Sequence, residues 1–225
     1  MGRLSAPRWG RWTGQLTAAG EKLIITGGKL TAPADKESKH TAAVEYWQPP
    51  YSWSDPQPQP LPRKFYGHCT VVANDGSAGS DGQENIYLFG GKSCFRVRND
   101  IGGINEGWTK CIKGKKIEER KEHTCAVLNN KVYIMGGKTE NSELNSTEIY
   151  DPVVETFKCG PKLPAPLVLG HSFVYKGELF ILYPTGKLYT LENTSNSWKF
   201  YVDLETGDLR STDTAIVLKD SVLNC

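Results

Sequence analysis

The sequence predicts an all-β fold assembled from a repeated unit of four short antiparallel strands, and three observations predict it. Apolar runs that end in two adjacent glycines recur as KLIITGG (22–28), NIYLFGG (85–91) and KVYIMGG (131–137). Upstream of each lies a second apolar run with its own opening mark: Gln15, His68 and His123. Downstream lie aromatic or apolar pairs seven residues apart: Tyr46 and Trp53, Tyr150 and Phe157, Leu191 and Trp198. Self-similarity of this kind has to be sought before single motifs are weighed, because it dictates the architecture.

Taken in order, the first unit (about 11–60) has Gln15 as its mark, Gly27 and Gly28 as its pair, and Tyr46 and Trp53 downstream. The second (about 63–118) opens at His68 and is lengthened by a polar insert, NDGSAGSDGQEN, before Gly90 and Gly91. Its third strand is weak, since Trp108 finds only Ile101 at the expected offset. The third unit (about 120–165) is the most regular, running from HTCAVLNN through KVYIMGG to EIYDPVVETF. The fourth (about 168–207) begins at GHSFVYKG, but Pro184 stands where the first glycine belongs. A partial fifth (about 210–225) opens with DTAIVLKDSVL, which aligns position by position with HTCAVLNNKVY. The marks at 15, 68, 123, 171 and 213 give a period of about 42 to 55 residues. Turn residues (LNN, KG, KD) punctuate the first hairpin of three units. Four antiparallel strands at this period is the arithmetic of a propeller blade.

Apolar run, glycine pair, then Tyr and Trp seven apart: this pattern resembles the kelch repeat, and the resemblance covers nearly the whole chain. It implies a kelch-type β-propeller of four-stranded antiparallel blades. Kelch rings usually close with six or seven blades, so four repeats and the start of a fifth imply an incomplete ring. Its exposed sheet edges and blade faces favour association. The glycine pairs are expected to be structural, because glycine permits positive φ and close backbone approach after a strand. No helix follows them, so they offer no phosphate site.

Length, charge and composition narrow the function. The chain has 225 residues, a net charge of +2 and 38% hydrophobic residues, an ordinary globular balance. Such a charge implies neither nucleic acid nor membrane, and no apolar run is long enough to span a bilayer. The basic stretch KCIKGKKIEERKEH interleaves acids with its lysines, so it reads as a solvated loop. Asp151 and Glu192 hold equivalent turn positions and read as turn residues. His68, His123 and His171 open the same strand of three different units, which points to a repeated structural position and not a metal site. No hydrolase, zinc-protease or nucleotide-binding motif is present. No catalytic residue, cofactor or metal is therefore expected.

Among the six cysteines, Cys69 and Cys125 sit inside apolar strands and are expected to be buried free thiols. Cys94 and Cys111 flank one loop region and could pair in an exported protein. Two glycosylation sequons, at Asn145 and Asn193, shift the balance little.

In a blade the first and second strands run antiparallel, so the start of one and the end of the other lie at the same end of the sheet. Residues just before the His mark and just after the glycine pair are thus expected to rim one face. Those places hold Arg63, Tyr66, Arg120 and Arg210 on one side and Lys29, Lys92, Arg96, Arg98 and Lys138 on the other. Within the kelch family this face commonly binds peptides, and arginine grips carboxylates through paired hydrogen bonds. The resemblance thus implies a non-catalytic protein–protein interaction module, a substrate-recognition or scaffold element that binds an acidic segment. Where kelch modules present substrates to cullin ubiquitin ligases they do so through a BTB domain, which these residues do not include. The alternative is a fragment of a secreted kelch-type enzyme or an extracellular receptor. The cytoplasm is the expected compartment for the first reading, the extracellular space for the second.

Overall fold

The structure, a computed structural model, describes residues 11–12, 14–19, 21–30, 40–47, 60–76, 84–91, 93–98, 107–111, 118–192, 194–204, 215–218 and 221–224. Strands and their connections account for all of these, with no helix among them. The chain divides into two compact units, residues 1–90 with 94–111 and residues 91–93 with 112–225.

Among the described residues, the first unit holds a three-stranded sheet, a four-stranded sheet and the short pair Arg11–Trp12 with Lys29–Leu30. Gln15–Ala19, Lys22–Thr26 and Val44–Trp47 pair in that order, antiparallel throughout. The fourth strand expected around Trp53 lies outside the described residues. Cys69–Asn74, Glu84–Gly90, Ser93–Arg98 and Thr109–Lys110 form the second sheet. Here the third strand starts two residues after Gly91, and its partners on the fourth strand lie far along the chain, Phe95 opposite Lys110 and Arg96 opposite Thr109. An offset of seven back from the fourth strand therefore does not reach the third, which ends at Arg98. Ile24, Val44, Leu61, Phe65, Ile86 and Leu88 pack into one buried cluster shared by the two sheets, with Phe95 and Trp108 against it. The first strands also meet through the Thr17 and Thr70 hydroxyls. Cys94 and Cys111 form a disulfide (Cα–Cα 5.6 Å) between the third and fourth strands.

Two regular sheets and a hairpin make up the second unit. Thr124–Leu128, Lys131–Met135, Thr147–Asp151 and Thr156–Cys159 form one, and His171–Tyr175, Glu178–Leu182, Lys187–Glu192 and Ser197–Asp203 the other. Ala215–Leu218 pairs with Ser221–Asn224, so the start of the fifth repeat is a hairpin rather than a lone strand. The two four-stranded sheets share a core of Leu128, Met135, Leu163, Leu167, Leu179 and Ile181. Their first strands meet through Thr124 and Ser172, whose hydroxyls are 2.7 Å apart, just as Thr17 and Thr70 meet in the first unit. The spacing of seven has a plain cause. Tyr150 is the cross-strand partner of Phe157, with ring centroids 4.7 Å apart, and Leu191 is the partner of Trp198. The first hairpins turn at Asn129 (φ 50°) and Asn130 (φ 54°), and at Lys176 (φ 49°) and Gly177 (φ 78°). Two consecutive positive φ values match the twist of the flanking strands.

What the glycine pairs do is now visible. The N–H of Gly28 donates to Phe65 O (2.9 Å), that of Gly91 to Arg120 O (3.0 Å) and that of Gly137 to Leu167 O (2.6 Å). Each acceptor lies in the segment leading into the next repeat. The second glycine of one repeat therefore captures the chain on its way to the following sheet. No side chain fits between. A Cβ on Gly136 (φ +64°) would stand 2.3 Å from Leu167 O, and one on Gly27 (φ +54°) would stand 2.7 Å from His68 Cε1. The ring nestled against Gly27 is itself fully enclosed. His68 Nε2 lies 2.8 Å from Thr26 Oγ1, and burial pushes its pKa down from 6.5 to about 3. His68 and His123 are thus buried in the fold, while His171 is half-buried. Cys69 and Cys125 correct the sequence expectation, for both are disulfide-bonded. An apolar strand shelters a half-cystine as readily as a thiol, so their surroundings in the sequence could not separate the two.

Two outcomes follow from this geometry. Gly136→Ala is expected to lower unfolding free energy by about 2–4 kcal/mol, since it adds a backbone clash to the strain of positive φ. Gly177→Ala, which has nothing within 4 Å of its Cβ, should cost only about 1 kcal/mol. Equal losses in urea titrations would show that close approach at Gly136 is unimportant. The second outcome concerns acid. Between about pH 6.5 and 3 the unfolded chain binds a proton at His68 that the folded chain excludes. That contribution to stability is complete above pH 6.5 and is lost as pH falls, by about 1.4 kcal/mol per unit within the window. His68→Gln should flatten the decline by about one proton, and an unchanged slope would contradict the assignment.

Candidate functional site

The segments leading into the second and third sheets carry the basic residues that the repeat predicts at one end of each sheet. Their surroundings differ. In the first unit, Arg63 is exposed, and its Nη2 donates to Gly90 O at 3.2 Å while its guanidinium carbon sits 4.6 Å from the centre of the Phe65 ring. Tyr66, also exposed, stacks on His40 with centroids 4.0 Å apart and planes 11° from parallel. Exposed Lys64 lies between them in sequence. The local cause is legible: Phe65 is buried under the sheet end and anchors the segment, so its neighbours are turned to solvent.

Arg96 sits in the third strand of the second sheet, its Nη1 4.0 Å from Asp75 Oδ2, and Asn85 Nδ2 donates to the same carboxylate at 2.9 Å. Lys29 belongs to the short pair Arg11–Trp12 with Lys29–Leu30, opposite Trp12. Arg98 ends the strand Ser93–Arg98. Lys92 and Arg210 lie outside the described residues.

In the second unit, Arg120 departs from the expected rim position. Only 2% of it is exposed. Nη1 donates to Gly136 O at 2.7 Å and Ser146 O at 3.2 Å, and Nη2 to Glu118 Oε2 at 2.8 Å, Ser146 Oγ at 3.1 Å and Glu148 Oε2 at 3.1 Å. Two carboxylates and two carbonyl groups surround the cation, and a charge so enclosed requires them. Arg120 is thus a clamp inside the fold rather than a group offered to a partner. Glu118, two residues earlier, was a signal in the sequence; Glu148 was not, because only the fold brings it near. Lys138 follows the glycine pair and exchanges backbone hydrogen bonds with Lys121, as the antiparallel geometry requires, while its Nζ pairs with Glu122 at 2.5 Å. One feature unites Arg63 and Arg120: each donates to the carbonyl of the first glycine of its own repeat, Gly90 or Gly136. Part of the recurrence of basic residues therefore serves the fold.

Among the described residues, no group of three or more His, Cys, Asp or Glu side chains could hold a metal ion, and no helix is long and apolar enough to cross a membrane.

A family model for the kelch motif matches residues 119–164, which contain the whole third sheet. Curated relatives include human Kelch-like protein 33, 22% identical over 175 residues (71% of this chain, 31% of that protein). Spermatocyte protein spe-26 of Caenorhabditis elegans is 26% identical over 170 residues (71% and 27%). Kelch domain-containing protein 3 of Rattus norvegicus is 28% identical over 152 residues (58% and 37%). The chain spans about a third of the length of these relatives. The residues matched to the kelch motif hold one four-stranded sheet, and a four-stranded antiparallel sheet recurs on either side of it in the chain, in keeping with the kelch repeats that the family model and the relatives describe.

Proposed function

We propose that the chain is a non-catalytic protein–protein interaction module that holds an acidic segment of a partner protein near Arg63. The observation that carries this reading is the setting of that side chain. Arg63 is exposed, yet its guanidinium is held by the Gly90 carbonyl and lies over the Phe65 ring. A cation already fixed in place gives up little conformational freedom on meeting a carboxylate. Lys64 adds a second positive charge beside it, and the stacked pair of Tyr66 and His40 supplies a flat apolar surface of the kind that binding faces favour. Lys29, Lys92, Arg96, Arg98, Lys138 and Arg210 belong to the wider basic set proposed from the repeat. Arg120 is withdrawn from it. The kelch-named relatives support an interaction role without identifying a partner.

A second reading concerns the compartment, and the Cys94–Cys111 disulfide favours it. Cys69 and Cys125 are bonded as well. Stable disulfides persist in oxidising compartments, which supports export over the cytoplasm expected from the family resemblance, and with it the alternative of a secreted kelch-type enzyme or an extracellular receptor.

Partner recovery from extract by wild type and by Arg63→Glu, both confirmed folded, tests the acidic-segment reading. The variant is expected to recover several-fold less, with the gap closing as salt approaches about 0.5 M and screening shortens the reach of the charge. Recovery of the same partners in equal amounts at every salt concentration would refute it. Arg120→Glu is unsuitable here, because it places a third negative charge beside Glu118 and Glu148 and should unfold the third sheet. For the compartment, protein from its native source, denatured without reductant, should expose no more than two of its six thiols, since Cys69, Cys94, Cys111 and Cys125 are bonded. Six reactive thiols would instead indicate a reducing compartment.

A further inference from the structure

We propose that the turn at residues 138–143 of one chain is an acidic segment that the Arg63 site of a second copy takes up, so that the chain associates with itself through this pair of surfaces. The inference rests on the acidic-segment reading of Arg63. The turn leaves the third sheet directly after its glycine pair, and it is a small hairpin of its own. Lys138 bridges Glu143 across it. The Leu144 N–H donates to Gly137 O at 2.8 Å, and the Leu144 side chain is buried at its base. At its tip the Thr139 N–H donates to Ser142 O at 2.8 Å, while Thr139 Oγ1 accepts from the N–H of Asn141 at 3.1 Å and from that of Ser142 at 3.0 Å. Glu140, Asn141, Ser142 and Glu143 are all exposed. Both carboxylates thus stand in solvent on a backbone that is already ordered. The turn's own cation, Lys138, is taken up by Glu122 at 2.5 Å, and among the described residues no cation pairs with Glu140 or Glu143.

Charge and order together name the occupant. Arg63 and Lys64 present two adjacent positive charges, both exposed, and the turn presents two negative ones, Glu140 and Glu143. Arginine receives a carboxylate through paired hydrogen bonds. Neither side gives up much conformational freedom, since the guanidinium is held over Phe65 and the turn is closed by its own hydrogen bonds. Other exposed carboxylates suit the role less well. Glu192 accepts from Ser195 Oγ at 2.6 Å and Glu118 from Arg120 Nη2 at 2.8 Å. Glu21 and Glu178 each stand beside a lysine of the same hairpin, Lys22 or Lys176. Each chain carries one copy of both surfaces. The contact closes as a reciprocal pair or ring, or continues head to tail, and in each case mass grows with concentration. So small and polar a contact is weak, with a dissociation constant on the order of 0.1–1 mM.

Sedimentation at low salt, over about 0.01–1 mM protein, tests the association. Wild type is expected to gain mass with concentration, and to lose that gain as salt approaches about 0.5 M. Arg63→Glu alone, and Glu140→Lys together with Glu143→Lys, each set like charges against one another and should weaken association by about tenfold. An equimolar mixture of the two variants should return to within about threefold of wild type, because one keeps the turn and the other keeps Arg63. That recovery also shows that neither change has merely unfolded the chain. A wild type that is monomeric at every concentration, variants that associate as wild type does, or a mixture no better than its components would each overturn the proposal. Partner recovery from extract separates it from the reading on which it rests. If Arg63→Glu loses partners while wild type does not self-associate, the acidic-segment reading stands and the self-association falls. If Arg63→Glu changes neither measurement, both fall.

Discussion

The N–H of the second glycine in each pair, donated to a carbonyl of the segment that leads into the next sheet, is the bond on which this architecture depends. It recurs as Gly28 to Phe65, Gly91 to Arg120 and Gly137 to Leu167. A propeller sheet can complete its hydrogen bonding within itself, so little else obliges consecutive sheets to follow one another closely. This bond does, and it explains why two glycines are needed and not one. The first leaves room for the chain or side chain that arrives, as Gly27 does for His68 and Gly136 for Leu167. The second turns its N–H toward the arriving backbone. In the fourth repeat, where the pair is lost, a side chain just ahead of its place reaches back to the segment that leads into its own sheet. Tyr183 Oη donates to Ala165 O at 2.9 Å, and burial pushes its pKa up to about 12.

The same end of the sheets carries the residues on which function is proposed to rest, and the two sets of demands are entangled there. Arg63 and Arg120 both reach the carbonyl of a first glycine. Their surroundings differ. Arg120 has Glu118 and Glu148 to neutralise it and is enclosed, whereas Arg63 lies over the Phe65 ring and is exposed. Burial of a cation follows its counter-ions, so an apparent row of equivalent basic positions divides into one clamp and one group at the surface.

Much of the fold was legible because its signals are local or periodic. Offsets of seven report cross-strand partners, paired asparagines or Lys-Gly report tight hairpins, and glycine pairs report close approach. Each depends on neighbours a few residues away. What the sequence concealed depends on distant ones. In the second sheet Phe95 pairs with Lys110, fifteen residues on, which broke the spacing of seven that marked the others. The bonded state of Cys69 and Cys125 leaves no trace in the apolar runs around them. Glu148 joins Arg120 only once the third strand lies beside the lead-in segment. Of the proposed site, the basic character was readable, but which side chains face solvent was not, since exposure is set by packing between sheets.

Amide hydrogen exchange at Gly28, Gly91 and Gly137 tests the central claim most directly. These N–H groups sit in connections, where exchange is ordinarily fast, yet they donate the bonds that tie one repeat to the next. They should exchange as slowly as the inner-strand amides of Val132 and Ile181, opening only when the unit that holds them unfolds. Exchange at the rate of the exposed turn residues Asn141 and Ser142 would mean that the glycine pairs merely end strands and do not hold the sheets in sequence.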